Sequence, residues 1–193
     1  QGIDFNVLYN KQYKNGGFFV GGNMLWAKNK IIDLKEIAYK YAHQYRKGHS
    51  IGTRFGFETN GLYTHPDQLV NAPTGSFGSP VLGDIVYKNQ NPEDDNVIDE
   101  SDMVALGNSL PEIIFGATLG GNYKGFDIQC NLEGSSLFST HYIPNKFTPY
   151  AYENRWNPND PAVQTAYPGL SISREYNTQT SDFWQKKTSL LRI

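Results

Sequence analysis

The chain has 193 residues, which suits one domain or a piece of one. Hydrophobic residues are 38% of it, and no run approaches the roughly 18–20 apolar residues of a spanning helix, so a helical membrane protein is excluded. A net charge of −2 argues against a nucleic-acid partner, 14% aromatic content against disorder, and a single cysteine, Cys130, against a disulfide framework or a cysteine metal cluster.

The first residues, Gln1-Gly2-Ile3-Asp4-Phe5, lack the basic region, apolar core and cleavage site of a signal peptide. They begin without methionine, already in a strand-like pattern. The last, Leu190-Leu191-Arg192-Ile193, stop within an apolar run. The expectation is a working protein longer than this chain.

Alternation of period two dominates the sequence. Ile3, Phe5, Val7 and Tyr9 alternate with Asp4, Asn6, Leu8 and Asn10. A turn through Lys14-Asn15-Gly16-Gly17 leads to a return strand with Phe18, Val20, Gly22, Met24 and Trp26 on one face. Residues 29–111 then form a long segment rich in Asn, Pro, Gly, Tyr and Asp. Within it Leu34, Ile37 and Tyr41 have helical spacing and predict a short helix over 32–41.

A second hairpin follows. Ile113, Phe115, Ala117, Leu119, Gly121 and Tyr123 share one face of its first strand. Phe126, Ile128, Cys130, Leu132 and Gly134 share one face of the next, with Asp127, Gln129, Asn131 and Glu133 opposite. Only Lys124-Gly125 separates the strands, which indicates a tight turn. A second long segment covers 139–181, and a fifth strand begins near Asp182.

Short turn, long segment, short turn, long segment is the rhythm of an outer-membrane barrel. A compact soluble domain rarely holds structureless loops of that length. The fold expected is therefore all-β: antiparallel strands of an outer-membrane β-barrel, present as a partial barrel, with two long outer loops. The Asp127–Glu133 face would line a polar lumen, the opposite face would meet outer-membrane lipid, and Tyr123 and Phe126 would sit in an aromatic girdle. About five strands cannot close a barrel, since the smallest bacterial ones need about eight and no edge can face lipid. The alternative is a soluble antiparallel module with its apolar face inward. A closed sheet with a dry interior would mark that module, and an apolar face with nothing on it would mark a barrel wall.

Several runs, taken in order, resemble the C-terminal half of SusC/RagA-type TonB-linked outer-membrane proteins. They are Gly83-Asp84-Ile85-Val86-Tyr87-Lys88, Asp95-Asn96-Val97-Ile98-Asp99-Glu100-Ser101-Asp102, Gly107-Asn108 and Pro111-Glu112-Ile113-Ile114-Phe115-Gly116. Tyr123-Lys124-Gly125-Phe126-Asp127, Glu153-Asn154-Arg155-Trp156, Ser181-Asp182-Phe183-Trp184 and Leu190-Leu191-Arg192 continue the series, and Ala27-Lys28-Asn29-Lys30-Ile31 is a weaker match. The resemblance implies a large plugged barrel in the cell outer membrane. Such a barrel imports oligosaccharides, glycans or peptides with TonB as the energy link, under a SusD-like surface lipoprotein. The signal peptide, plug and TonB-contacting segment of that family have no counterpart among these residues.

Residues 91–102 carry oxygen ligands at the spacing of an EF-hand calcium loop. With Asn91 as position 1, Asn91, Glu93, Asp95, Asp99 and Asp102 fall at positions 1, 3, 5, 9 and 12, and the Val97 carbonyl at 7. Asn96 stands where glycine is usual and tolerates a left-handed turn. Calcium in an outer loop is one expectation, and a solvated acidic loop that also contains Asp94 and Glu100 is the other. In the soluble alternative, calcium would stabilise a carbohydrate-binding module.

His43, His49, His65 and His141 have no paired metal spacing, and no nucleophile elbow, zincin motif or phosphate loop is present. Asp127 and Glu133 share a face but read better as lumen wall than as a glycosidase pair, so the expectation is a protein that is not an enzyme. In the second long segment, Trp156, Tyr150 and Tyr152, with Tyr142 and Phe147, either stack on substrate or seat a partner, or pack the loop.

Overall fold

The computed structural model describes residues 1–93, 95–143, 148–159, 167–169 and 175–192. Its largest element is an open antiparallel sheet of five strands: β1 (Gly2–Tyr13), β2 (Gly16–Ala27), β9 (Ile113–Tyr123), β10 (Phe126–His141) and β11 (Gln185–Arg192), side by side in that order. Each strand pairs with the one before it, so the sheet is a meander.

The register turns the alternation into two chemically distinct faces. Tyr9, Val20, Leu119 and Cys130 form one cross-strand row. Phe5, Met24, Phe115, Gly134 and Leu191 form another on the same face. Among the described residues nothing covers this face: Leu119 is 57% exposed, Ile128 77% and Phe126 82%. Asp127, Gln129, Asn131 and Glu133 point the other way, opposite Asn122, Gly120, Thr118 and Gly116. Toward the loop end this second face turns aliphatic, with Leu25, Ile114 and Leu190 in one row. The Phe115 ring lies over Gly134, and the Phe19 ring over Gly120, so that neither glycine has room for a Cβ.

Both tight turns lie at one end. Lys124 and Gly125 have φ of 45° and 88°, the positive pair of a type I′ hairpin turn. The Lys124 amide donates to the Asn15 carbonyl at 3.1 Å, which joins the two turns. Tyr9 and Tyr13 pack on Phe18 beside them, and exposed Tyr123 and Phe126 complete an aromatic group at this end of the sheet.

The long segments both leave from the other end, and they are not bare loops. The first holds β3 (Thr53–Gly56), β4 (Thr59–Leu62), β5 (Thr74–Gly75), β6 (Ile85–Tyr87), β7 (Val97–Ile98) and β8 (Val104–Asn108), paired β3–β8, β4–β6 and β5–β7. The second holds a single-turn helix α1 (Pro149–Glu153). The buried core of the described residues lies here, not against the sheet. Phe57, Ile85, Tyr87 and Ile98 come from the first segment, Tyr176 from the second and Trp184 from just beyond it. Ring centroids of Phe57 and Tyr87 are 5.3 Å apart, and those of Phe77 and Tyr176 4.9 Å.

Three sequence expectations need correction. No helix forms over 32–41. The Glu36 carboxylate instead accepts the Arg46 and Lys47 amides, and Ile31 exchanges backbone bonds with Gly48 and His49. Ile32 and Ile37 are exposed, so their helical spacing buries nothing, and a short helix without a packed face is marginal. Strand β10 runs on past Gly134 to His141 through a bulge in which Ser136 and Leu137 together oppose Ser189. Leu137 takes φ of 58° there, and the bulge exchanges the two faces of the strand beyond it. Finally, β11 starts at Gln185, because Asp182–Trp184 form a 3₁₀ turn first.

Candidate functional site

Several of the motif runs scattered along the sequence meet beyond the end of the sheet opposite the tight turns. Gly83 has φ of 86° and passes beneath the Trp156 indole, which occupies the space a Cβ would need. The next residue, Asp84, is buried. Its carboxylate accepts the Val81 amide at 2.9 Å and the Asn177 side-chain amide at 2.8 Å. Asn177 in turn accepts the Ile85 amide and, through its carbonyl, the Trp184 indole N–H. Burying a carboxylate is costly unless it is fully hydrogen-bonded, and this one joins residues more than ninety positions apart. Ser181 bridges to Phe57, and the Asp182 amide donates to the Phe57 carbonyl at 3.1 Å. The unit is seated on the wall where the Gln185 side-chain amide donates to the Leu106 carbonyl at 2.8 Å.

Below it, the polar face of the wall has a hollow of ≈ 570 Å³ over Gly116, bordered by Asn23, Thr118, Asn131, Glu133 and Arg192. Asp127 and Glu133 lie six residues apart on β10, about 20 Å at strand rise, far beyond the separation that glycoside hydrolysis requires.

In fold the chain resembles part of a peptide importer. It aligns over its full length with a chain of "Structure of the RagAB peptide transporter" at TM-score 0.65 and 14% identity, covering 22% of that chain. It aligns equally fully with the RagAB peptide importer in the "open-open" state at TM-score 0.62 and 15% identity, covering 21%. For the "closed-closed" state the values are 0.58 and 14%, over 99% of this chain and 21% of that one. The chain thus spans about a fifth of the length of the solved structures it matches. No protein-family model and no curated protein matches it. In fold, the five-stranded meander with one bare apolar face is accordingly like an antiparallel segment of a β-barrel, left open within this chain.

The predicted contact residues separate. Trp156 is 6% exposed, wedged on Gly83, with its amide donating to Tyr167. A residue so enclosed packs the loop, the second of the two alternatives the sequence left open for Trp156. Tyr150 and Tyr152 are exposed. The Tyr150 ring stands edge-on to Tyr167 at 5.8 Å, and the Arg155 guanidinium lies 3.7 Å over Tyr152. Tyr142 is exposed too, while Phe147 lies outside the described residues. Trp156→Ala is expected to cost about 3–5 kcal/mol in the loop unit, the range for emptying a buried large aromatic site. Limited proteolysis of the full protein should then cut the outer loops much faster than in Tyr152→Ala.

The predicted calcium ligands are engaged as turn-formers. Asp95 accepts the Val97 amide, and Asp99 accepts the Ser101 amide. Asp102, which is buried, accepts the Gln90 amide on one oxygen at 2.7 Å and the Asp99 amide on the other at 3.0 Å. Asn91 is half-buried, Glu93 exposed, and Val97 lies in β7. Asp94 lies outside the described residues. Among the described residues no three acidic, His or Cys side chains converge as a metal site.

One feature had no signal in the sequence. A cleft of ≈ 700 Å³ opens beside β4, lined by Glu58, Lys88, Asp182, Asn60, Asn96 and others. Glu58 accepts from the Gln90 side-chain amide at 2.9 Å and from Lys88 at 3.0 Å. Those two bonds, that from Gln90 foremost, hold its carboxyl below the usual carboxylate range. Its members are isolated polar residues until β4 pairs with β6 and the second segment returns at Asp182.

Proposed function

We propose that the chain forms barrel wall and outer loops of a TonB-dependent nutrient importer in the cell outer membrane. On this reading the protein is a transporter and not an enzyme. It imports oligosaccharide, glycan or peptide, contacts TonB through parts outside this chain, and works with a SusD-like surface lipoprotein. The observation that carries the reading is the two-faced wall: an uncovered apolar face, a polar face with a hollow, and all dry packing gathered at one end. The similar solved structures are of a peptide importer, which favours peptide among the cargoes.

The test uses the full-length protein. It should fractionate with the outer membrane, require detergent for extraction, and support uptake of labelled peptide that stops when TonB is removed. Release in soluble form without detergent would instead support the soluble carbohydrate-binding module.

Calcium at residues 91–102 is a separate proposal, resting on ligand spacing alone. Titration with calcium should give heat of binding by millimolar concentrations if the ion is held there, and none if the carboxylates serve only the turns.

A further inference from the structure

We propose that the cleft beside β4 is a peptide subsite that captures an ammonium group, a free N-terminus or a lysine side chain, against the Asp182 carboxylate. The proposal rests on the importer reading and deepens it.

Charge is the first argument. The charged residues lining the cleft are Glu58, Asp182 and Lys88, a net of −1. Lys88 is already paired with Glu58 at 3.0 Å, so these two balance each other. Asp182 is exposed, and among the described residues no cation pairs with it. It is nonetheless positioned. One carboxylate oxygen accepts the Thr59 hydroxyl at 2.5 Å, and its own amide is tied to Phe57 in the core. The other oxygen is left for a ligand. A fixed carboxylate of this kind binds a cation with little ordering cost.

The neutral groups narrow the ligand class. Asn60 and Asn96 are exposed, and among the described residues their side chains make no hydrogen bond. Each offers an amide donor and acceptor, the complement of a peptide backbone. Pro73, Pro92 and Val86 supply apolar wall. A sugar would want an open ring face, but the tyrosines lining the cleft, Tyr63 and Tyr87, are 3% and 1% exposed.

The test compares tetra-alanine with its N-acetylated form, by calorimetry on the full-length protein in detergent at low salt. The free peptide should bind roughly 10-fold more tightly or better, the scale of one charge-assisted hydrogen bond. Asp182→Asn, which keeps the side chain's shape, should abolish that preference and leave the acetylated peptide unchanged. Asn96→Ala should weaken both peptides and retain the preference. If Asp182→Asn keeps the preference while peptide uptake persists, the subsite is wrong and the importer reading stands. If neither peptide binds the parent protein but an oligosaccharide does, the subsite and the peptide cargo both fall.

Discussion

Leu119→Arg in the full-length protein is expected to remove most of it from the outer-membrane fraction, whereas Gln129→Arg leaves the yield near the parent's. Leu119 lies midway along β9, flanked in its row by Val20 and Cys130 on the bare apolar face. An arginine facing lipid near the bilayer midplane costs about 2–4 kcal/mol. Gln129 sits at nearly the same height on β10 but projects from the opposite face, beside Gly120. There the added charge meets water and other polar groups. Membrane fractionation with heat-modifiable gel mobility reads both variants. Equal loss, or loss only in Gln129→Arg, would show that the apolar face does not meet lipid.

The second large effect concerns the loop unit. Asp102→Ala should destabilise it by about 3–6 kcal/mol, because two hydrogen bonds to a carboxylate of about 1.5–3 kcal/mol each are lost. Asp102→Asn should rescue little of this. Its carbonyl oxygen can serve one of the Gln90 and Asp99 amides, but its NH₂ group then faces the other donor. The exposed neighbour Glu100→Gln is the control and should be within about 0.5 kcal/mol of the parent. Protease resistance of the outer loops, measured without added calcium, separates the three. Full rescue by Asn would mean that hydrogen bonding at Asp102 does not hold this turn.

The wall was legible because a strand's side-chain period is a local property. Once Lys124-Gly125 sets the hairpin, the faces of Phe115, Leu119, Ile128 and Leu132 follow with no knowledge of anything distant. The same local reasoning failed at 32–41, where helical spacing was present but Glu36 and Ile31 found partners ten or more residues away. It failed at the bulge as well, since no turn residue announces Leu137 at φ of 58°.

By itself, the sequence determined the five strands, their two faces, the end at which the tight turns lie, and the series of short motif runs along the chain. Only the tertiary structure decided what those runs do. Gly83 and Trp156 are complementary in shape, and Asp84 needs Asn177, ninety-three positions on. Acidic spacing at 91–102 does not reveal that Asp102 is buried and accepts the Gln90 and Asp99 amides. Asp182 gains a setting only when the chain returns beside Thr59. Alternation is written between neighbours, whereas burial and partnership of polar groups are set by which distant segments share a core.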